Sequence, residues 1–222
     1  MVKKNSILLV DDHIVMRSGC RELLGQAGFE IFGEAISGEE ACKLYQSLMP
    51  DVVIMDLTME GMGGLEAVRR ICNNDENAKI IILTMHDDAS FASRSIKNGA
   101  KGFVTKTSPP EILVHGIKEV IRGGNYFSPD IAQTLAIGSV TNRSNPILKL
   151  SNREFDIFTQ LVNGSPTAQI AQNLSLSQKT VSNYMLKIKQ KLEVSSIAEM
   201  VKLAINHGTD KHNIMSSGEY RK

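Results

Sequence analysis

The stretch ILLVDDHIVMRSG, residues 7–19, runs through four apolar residues and then stops on two adjacent aspartates, Asp11 and Asp12. Four consecutive apolar side chains suit a strand covered on both faces, as in a parallel sheet. Runs of the same kind recur at residues 30–35, 52–55, 80–83 and 102–104, each rich in Val, Ile or Phe and separated from the next by a stretch of helical period. Parallel neighbours need crossovers of about a dozen residues or more, so this spacing predicts an α/β fold with a five-stranded, doubly wound parallel sheet.

Helix-start signals agree with that layout. SGEE at residues 37–40 and SPPE at 108–111 both fit a capping box, the second with Pro109 at the first helical position. Leu113, Ile117, Val120 and Ile121 then repeat at helical spacing, as the buried stripe of the sheet's last helix. The next stretch, residues 125–147, clusters Gly, Ser, Asn and Pro and is expected to be a linker, with one helical turn near residues 129–136.

From Leu150 onward only helical period remains. Ser151 with Glu154, and Ser196 with Glu199, form capping boxes, Leu150 and Phe155 form a hydrophobic staple, and Ser177 caps a longer helix. Residues 148–208 are therefore expected to form a small all-α, four-helix domain. The tail at 209–222 has little apolar content and is expected to be disordered. Of 222 residues, 42% are hydrophobic and 22% charged, and no apolar run spans a bilayer, which predicts a cytoplasmic protein with no membrane insertion. Three scattered cysteines, Cys20, Cys42 and Cys72, read as reduced thiols. Net charge is split: residues 1–124 hold 14 Lys/Arg against 17 Asp/Glu, whereas residues 145–208 hold 7 against 4. Different partners for the two halves follow.

Ligands of open α/β sheets bind beyond the carboxyl ends of the strands. Asp11 and Asp12 end the first strand, Asp56 the third, Thr84 the fourth and Lys106 the fifth. Three converging carboxylates repel unless a cation neutralises them, and an all-oxygen donor set selects a hard ion, Mg2+ over Zn2+. A carboxylate beside that ion, a hydroxyl and an ammonium can accept a phosphoryl group. One aspartate after a strand is usually only a turn or cap residue. Five chemically matched residues at one end of four strands are not explained that way.

The motifs LLVDDH, DVVIMDLTM, IIILTMH and GAKGFVTK resemble the receiver domain of bacterial two-component response regulators, over residues 5–124. The resemblance implies strand order 2-1-3-4-5, with Asp56 as phosphoryl acceptor and Mg2+ held by Asp11, Asp12, Asp56 and the carbonyl of Thr58. It further implies that Thr84 and Lys106 bind the phosphoryl oxygens, and that Phe103 reorients with Thr84. Phe103 reads equally well as a buried sheet aromatic. Two positions depart from the family pattern: Glu60 stands where Pro is usual, and Gly63 where Asp is frequent.

In the back half, TAQIAQNLSLSQKTVSNYMLKIKQKL reads as a helix, a tight turn and a basic helix. At 100° per residue, Val181, Met185, Ile188 and Leu192 share the core face, while Lys179, Asn183, Leu186, Lys187 and Gln190 lie opposite, flanked by Ser182 and Lys189. A basic helix face is most often solvated surface. Here it follows a serine cap with free N–H groups and carries short polar side chains able to reach base edges, as a helix-turn-helix requires.

This half resembles the output domain of NarL/FixJ (LuxR-type) regulators, on signposts that include Arg153, Glu154, Gly164, Ile170, Lys179, Thr180, Val181, Lys191 and Leu192. The resemblance implies phosphate contacts from Lys179 and Thr180, base contacts from Ser182, Asn183 and Leu186, and dimerisation through Ile197, Val201 and Ala204. Glu193 replaces the usual Gly after KL. The segments GGLEAVRR, FSPDIAQ and AINHG extend the likeness to global regulators of the GacA/UvrY/LetA type. The implied protein is a transcription regulator phosphorylated by a sensor histidine kinase, homodimeric when phosphorylated and bound to double-stranded promoter DNA. Two other classes stay in view: a phosphatase working through an aspartyl phosphate, disfavoured because Thr58 stands where its second catalytic Asp belongs, and a receiver with an RNA-binding output, disfavoured by the lack of stacking aromatics.

Overall fold

The computed structural model of the protein describes residues 4–141 and 145–207. The chain divides into two compact units, with the division along the chain falling between Leu135 and Ala136.

The first unit alternates strand and helix: β1 (Ser6–Val10), α1 (Ile14–Gln26), β2 (Glu30–Ala35), α2 (Gly38–Leu48), β3 (Val52–Met55), α3 (Gly64–Asn74), β4 (Ile80–Thr84), α4 (Ala89–Lys97), β5 (Gly102–Thr105), α5 (Pro110–Ile121) and β6 (Tyr126–Phe127). The sheet is parallel throughout, in the order β2-β1-β3-β4-β5-β6. Every residue of β1, β3, β4 and β5 is buried, which is why those strands are written as unbroken apolar runs. Each fully covered Ile, Leu or Val there contributes about 1.5–3 kcal/mol relative to exposure. Edge strand β2 is half-covered, and its register slips between Ile7 and Leu8 so that Phe32 has no partner across the ladder and lies 48% exposed.

Three expectations need correction. The sheet has six strands, not five: Tyr126–Phe127 pairs with β5, within the stretch expected to be linker. A two-residue strand after Gly123 and Gly124 is too short to show a period, and tertiary pairing alone makes it. The single turn expected near residue 129 is a 13-residue helix, α6 (Pro129–Thr141). At the start of α5 the cap is Pro109 with Pro110 at the first helical position, and Ser108 bonds the Thr105 hydroxyl instead of capping. Adjacent prolines both satisfy the first-position rule, so sequence could not choose between them.

The second unit holds a 3-10 turn (Pro146–Lys149), α7 (Asn152–Val162), α8 (Thr167–Asn173), α9 (Gln178–Leu192) and α10 (Ile197–Asn206). The capping box of Ser151 and Glu154 is complete, and Ser177 and Ser196 cap α9 and α10 as expected. Val181, Ile188 and Leu192 are buried with Phe155, Phe158, Ile170 and Met200, but Met185 is only half-buried. Arg153 donates to the Leu174 carbonyl at the end of α8, and Lys191 Nζ meets Glu154 at 2.6 Å, tying α9 to α7. Glu193 ends α9 in the left-handed region (φ 56°), the conformation for which glycine is the favoured residue. The tail at 209–222 lies outside the described residues.

Candidate functional site

The site of the first unit grows out of the sheet ladder. Asp11 N–H donates to Ala35 O and Asp56 N–H to Val10 O, so both aspartates continue strand pairing one residue past β1 and β3. Lys106 N–H donates to Thr84 O in the same way beyond β4 and β5. Neighbouring strands therefore deliver Asp11, Asp56, Thr84 and Lys106 side by side. Beneath them, α3 starts so close that a Cβ on Gly64 would sit 2.0 Å from the Asp56 carbonyl oxygen. Only glycine fits there.

Lys106 Nζ lies 2.7 Å from Asp11 Oδ2 and 2.7 Å from Asp56 Oδ2, with all three side chains almost fully buried. The other Asp56 oxygen accepts the Leu57 N–H at 2.7 Å. Burial raises the Asp56 carboxyl above its ordinary value, and Lys106 offsets only part of that. Burial pushes the Lys106 ammonium down, but Asp56 and Asp11 outweigh it and hold it protonated. Asp11 Oδ1 accepts the His13 N–H at 2.8 Å, and Arg17 donates to the Asp11 carbonyl at 2.7 Å, which fixes the turn out of β1.

Asp12 is half-buried, and its Oδ1 accepts no hydrogen bond; His13 Nδ1 lies 2.8 Å away, an ion pair when the imidazole is protonated. Ligand atoms of Asp11, Asp12, His13 and Asp56 fall within 4.8 Å of one another. Three carboxylates against one ammonium leave two negative charges uncompensated, which matches a divalent cation. Oxygen donors from three aspartates fit Mg2+.

Thr84 is buried and its hydroxyl accepts the His86 N–H at 3.3 Å, while Thr58 is exposed with its hydroxyl 3.0 Å from His86 Nε2. His86 in turn stacks on Phe91 at 3.9 Å between ring centres. Phe103 is fully buried, in keeping with the plain core reading. Sequence reasoning missed His13 and His86 as neighbours of the site. Adjacency to the aspartates could have flagged His13; His86 meets Thr58 across 28 residues, and no local signal predicts that.

The second unit carries the basic face expected of α9. Lys179, Ser182, Asn183, Leu186 and Lys187 are exposed and Thr180 is half-buried. Leu186, at 62% exposure, is an apolar side chain set among polar ones on that face. Two hydroxyls are already engaged: Thr180 Oγ1 lies 2.8 Å from Ser177 Oγ, and Ser182 donates to the Gln178 carbonyl. The lysines also divide. Lys191 is tied to Glu154 and Lys189 to the Ser195 carbonyl, whereas Lys187 lies over the Tyr184 ring and neither it nor Lys179 has an acidic partner among the described residues. Burial raises the thiol pKa of Cys20, Cys42 and Cys72. No helix among the described residues is long and apolar enough to cross a membrane.

Comparison with known proteins bears on both units. Residues 7–118 match the response regulator receiver domain, and residues 148–204 match the bacterial regulatory proteins of the luxR family. The chain is similar to response regulator UvrY of Escherichia coli, 36% identical over 96% of this chain and 99% of that one. It is likewise similar to response regulator GacA of Pseudomonas aeruginosa, 38% identical over 91% and 96%. Among solved structures, a LuxR-family two-component response regulator from Aurantimonas sp. covers 62% of the chain at 43% identity with a TM-score of 0.60. RcsB of Salmonella enterica, bound to a promoter in the presence of the phosphomimetic BeF3−, covers 90% at 22% identity with a TM-score of 0.65, a likeness of fold.

Proposed function

Because the chain belongs to the two-component response regulators of the UvrY and GacA type, DNA-binding transcription regulators and not enzymes, we propose that Asp56 is its phosphoryl acceptor and that α9 is its DNA-reading helix. The observation that carries the first assignment is the bridge of Lys106 between Asp11 and Asp56 at the ends of adjacent strands, with an Asp12 oxygen beside it that accepts no hydrogen bond.

A sensor histidine kinase supplies the phosphoryl group. An Asp56 carboxylate oxygen attacks phosphorus, the O–P bond forms as the bond to the kinase's histidine nitrogen breaks, and the nitrogen keeps the electron pair. Lys106 follows the developing charge onto the phosphoryl oxygens, and the Thr84 hydroxyl donates to one of them. Asp11, Asp12, Asp56 and the Thr58 carbonyl would hold Mg2+, which supplies charge neutralisation between acceptor and phosphoryl group.

The output half acts on promoter DNA in the cytoplasm as a homodimer formed on phosphorylation. Lys179 and Lys187, lacking acidic partners, meet phosphates; Asn183 and Leu186 reach base edges and thymine methyls in the major groove. Ser182 and Thr180 take part by turning hydroxyls that are now satisfied within the helix. The promoter complex of RcsB, alike in fold, supports this use of the second unit. The test is labelling by a small phosphodonor with Mg2+: Asp56→Asn keeps the shape and removes the acceptor oxygen, so label should vanish, and label persisting on the variant would refute the assignment.

A further inference from the structure

The junction between β5 and α6 distributes its hydrogen bonds unevenly. Thr105, next to Lys106, is 2% exposed, and its hydroxyl donates to Asp130 Oδ2 at 3.2 Å while facing Ser108 Oγ at 2.8 Å and accepting from Thr107 Oγ1 at 3.1 Å. One donor and two acceptor sites are all a threonine hydroxyl has. Two residues before Asp130, Ser128 Oγ is fully buried and has no hydrogen-bond partner. Ser128 nevertheless starts α6, since its carbonyl accepts the Ala132 N–H, and a serine there ordinarily turns its hydroxyl onto one of the helix's first N–H groups. That bond is not made. A saturated hydroxyl beside an orphaned one marks an element with a second arrangement open to it.

The first arrangement is attached to the acceptor site. Lys106 Nζ is held by Asp56 and Asp11, its N–H by Thr84 O, and its peptide bond is shared with Thr105. On the other side, β6 cannot absorb movement: it pairs with β5 and presses so closely on α5 that a Cβ on Gly116 would sit 2.6 Å from the Tyr126 ring. Displacement of β5's end is therefore passed to Asp130, in the first turn of the helix in which the chain leaves the receiver.

We propose that the Thr105–Asp130 bond is a resting-state latch on α6, released when Asp56 is phosphorylated. The proposal rests on Asp56 being the acceptor. As Lys106 moves from the carboxylate to the phosphoryl oxygens it draws the 105–106 peptide with it, and a bond already at 3.2 Å is lost within about an ångström. Asp130 is freed, and the first turn of α6, whose Ser128 hydroxyl makes no cap bond, loosens. Occupancy of Asp56 is thereby read at the start of the segment that leads to the DNA-binding half.

The test is amide hydrogen exchange on the full-length protein with Mg2+, with and without beryllofluoride as acyl-phosphate mimic. In wild type, beryllofluoride should protect the peptides around Asp56 and speed exchange over residues 128–135 by about tenfold or more, the loss of one hydrogen bond to a charged group. Thr105→Val, which keeps the branched shape, and Asp130→Ala, which removes the acceptor at an exposed position, should exchange there at the faster rate without beryllofluoride and gain little on adding it. Resting exchange over 128–135 unchanged in both variants would overturn the latch. Protection around Asp56 with no change over 128–135 in wild type would overturn the latch and leave the acceptor assignment standing. No protection around Asp56 would bring down both.

Discussion

The two charged sites of this chain are built on opposite principles. The receiver gathers Asp11, Asp56 and Lys106 where each side chain is about 5% exposed or less, so that their mutual attraction acts in a low dielectric and each partner depends on the other two. The output helix α9 sets Lys179, Asn183 and Lys187 in water, where no described acid competes for either lysine. In a buried cluster, changing one charge unbalances the rest. On an exposed basic face the charges are complete only when a polyanion arrives.

The sharpest way to break that contrast is to remove the receiver's central cation. Lys106→Met leaves two buried carboxylates unpaired and is expected to cost the receiver about 3 kcal/mol or more in urea unfolding without divalent ions. Mg2+ should restore much of it, since the carboxylates it binds are then freed from the ammonium. An equal loss with and without Mg2+ would mean the aspartates do not hold the ion. On the exposed side the same kind of deletion should leave stability alone. Lys179→Ala and Lys187→Ala should weaken binding to every DNA sequence and each flatten the salt dependence by about 0.9 in slope. Asn183→Ala should instead relax sequence choice by about 1–3 kcal/mol at one base pair, and uniform loss across sequences would exclude a base contact.

A smaller effect tests whether the output unit contains one interaction of the buried type. Burial opposes the charge on Glu154, but Lys191 and the Ser151 N–H overcome it and hold the carboxyl below its ordinary value of 4.5. A depressed folded value contributes stability that is fully present above about pH 4.5 and is lost as pH falls through the folded value. Unfolding followed from pH 6 downward should show that loss in wild type, and Glu154→Gln should reduce it. The same slope in both proteins would place its origin elsewhere.

The same contrast explains what could be read in advance. Strands β1, β3, β4 and β5 are legible because burial on both faces forces unbroken apolar runs, and the residues ending them are conspicuous because the apolar pattern stops there. Tyr126–Phe127 was not legible as a strand, since its existence depends on β5 alongside and on Gly116 making room for its ring. The Thr58–His86 contact joins two loops, and loops carry no period. On α9, helical projection finds the right face but cannot tell Lys179 and Lys187 from Lys189 and Lys191, whose partners are a carbonyl and a carboxylate contributed from outside that helix. Nor could projection see that Ser182 and Thr180 hydroxyls are engaged within their own helix end.

Control of the exposed face by the buried cluster is read out by genome-wide DNA occupancy of wild type beside Asp56→Ala, at matched protein levels. Discrete wild-type peaks that collapse in the variant are the expected result. Equal peaks in both would contradict control of DNA binding by Asp56.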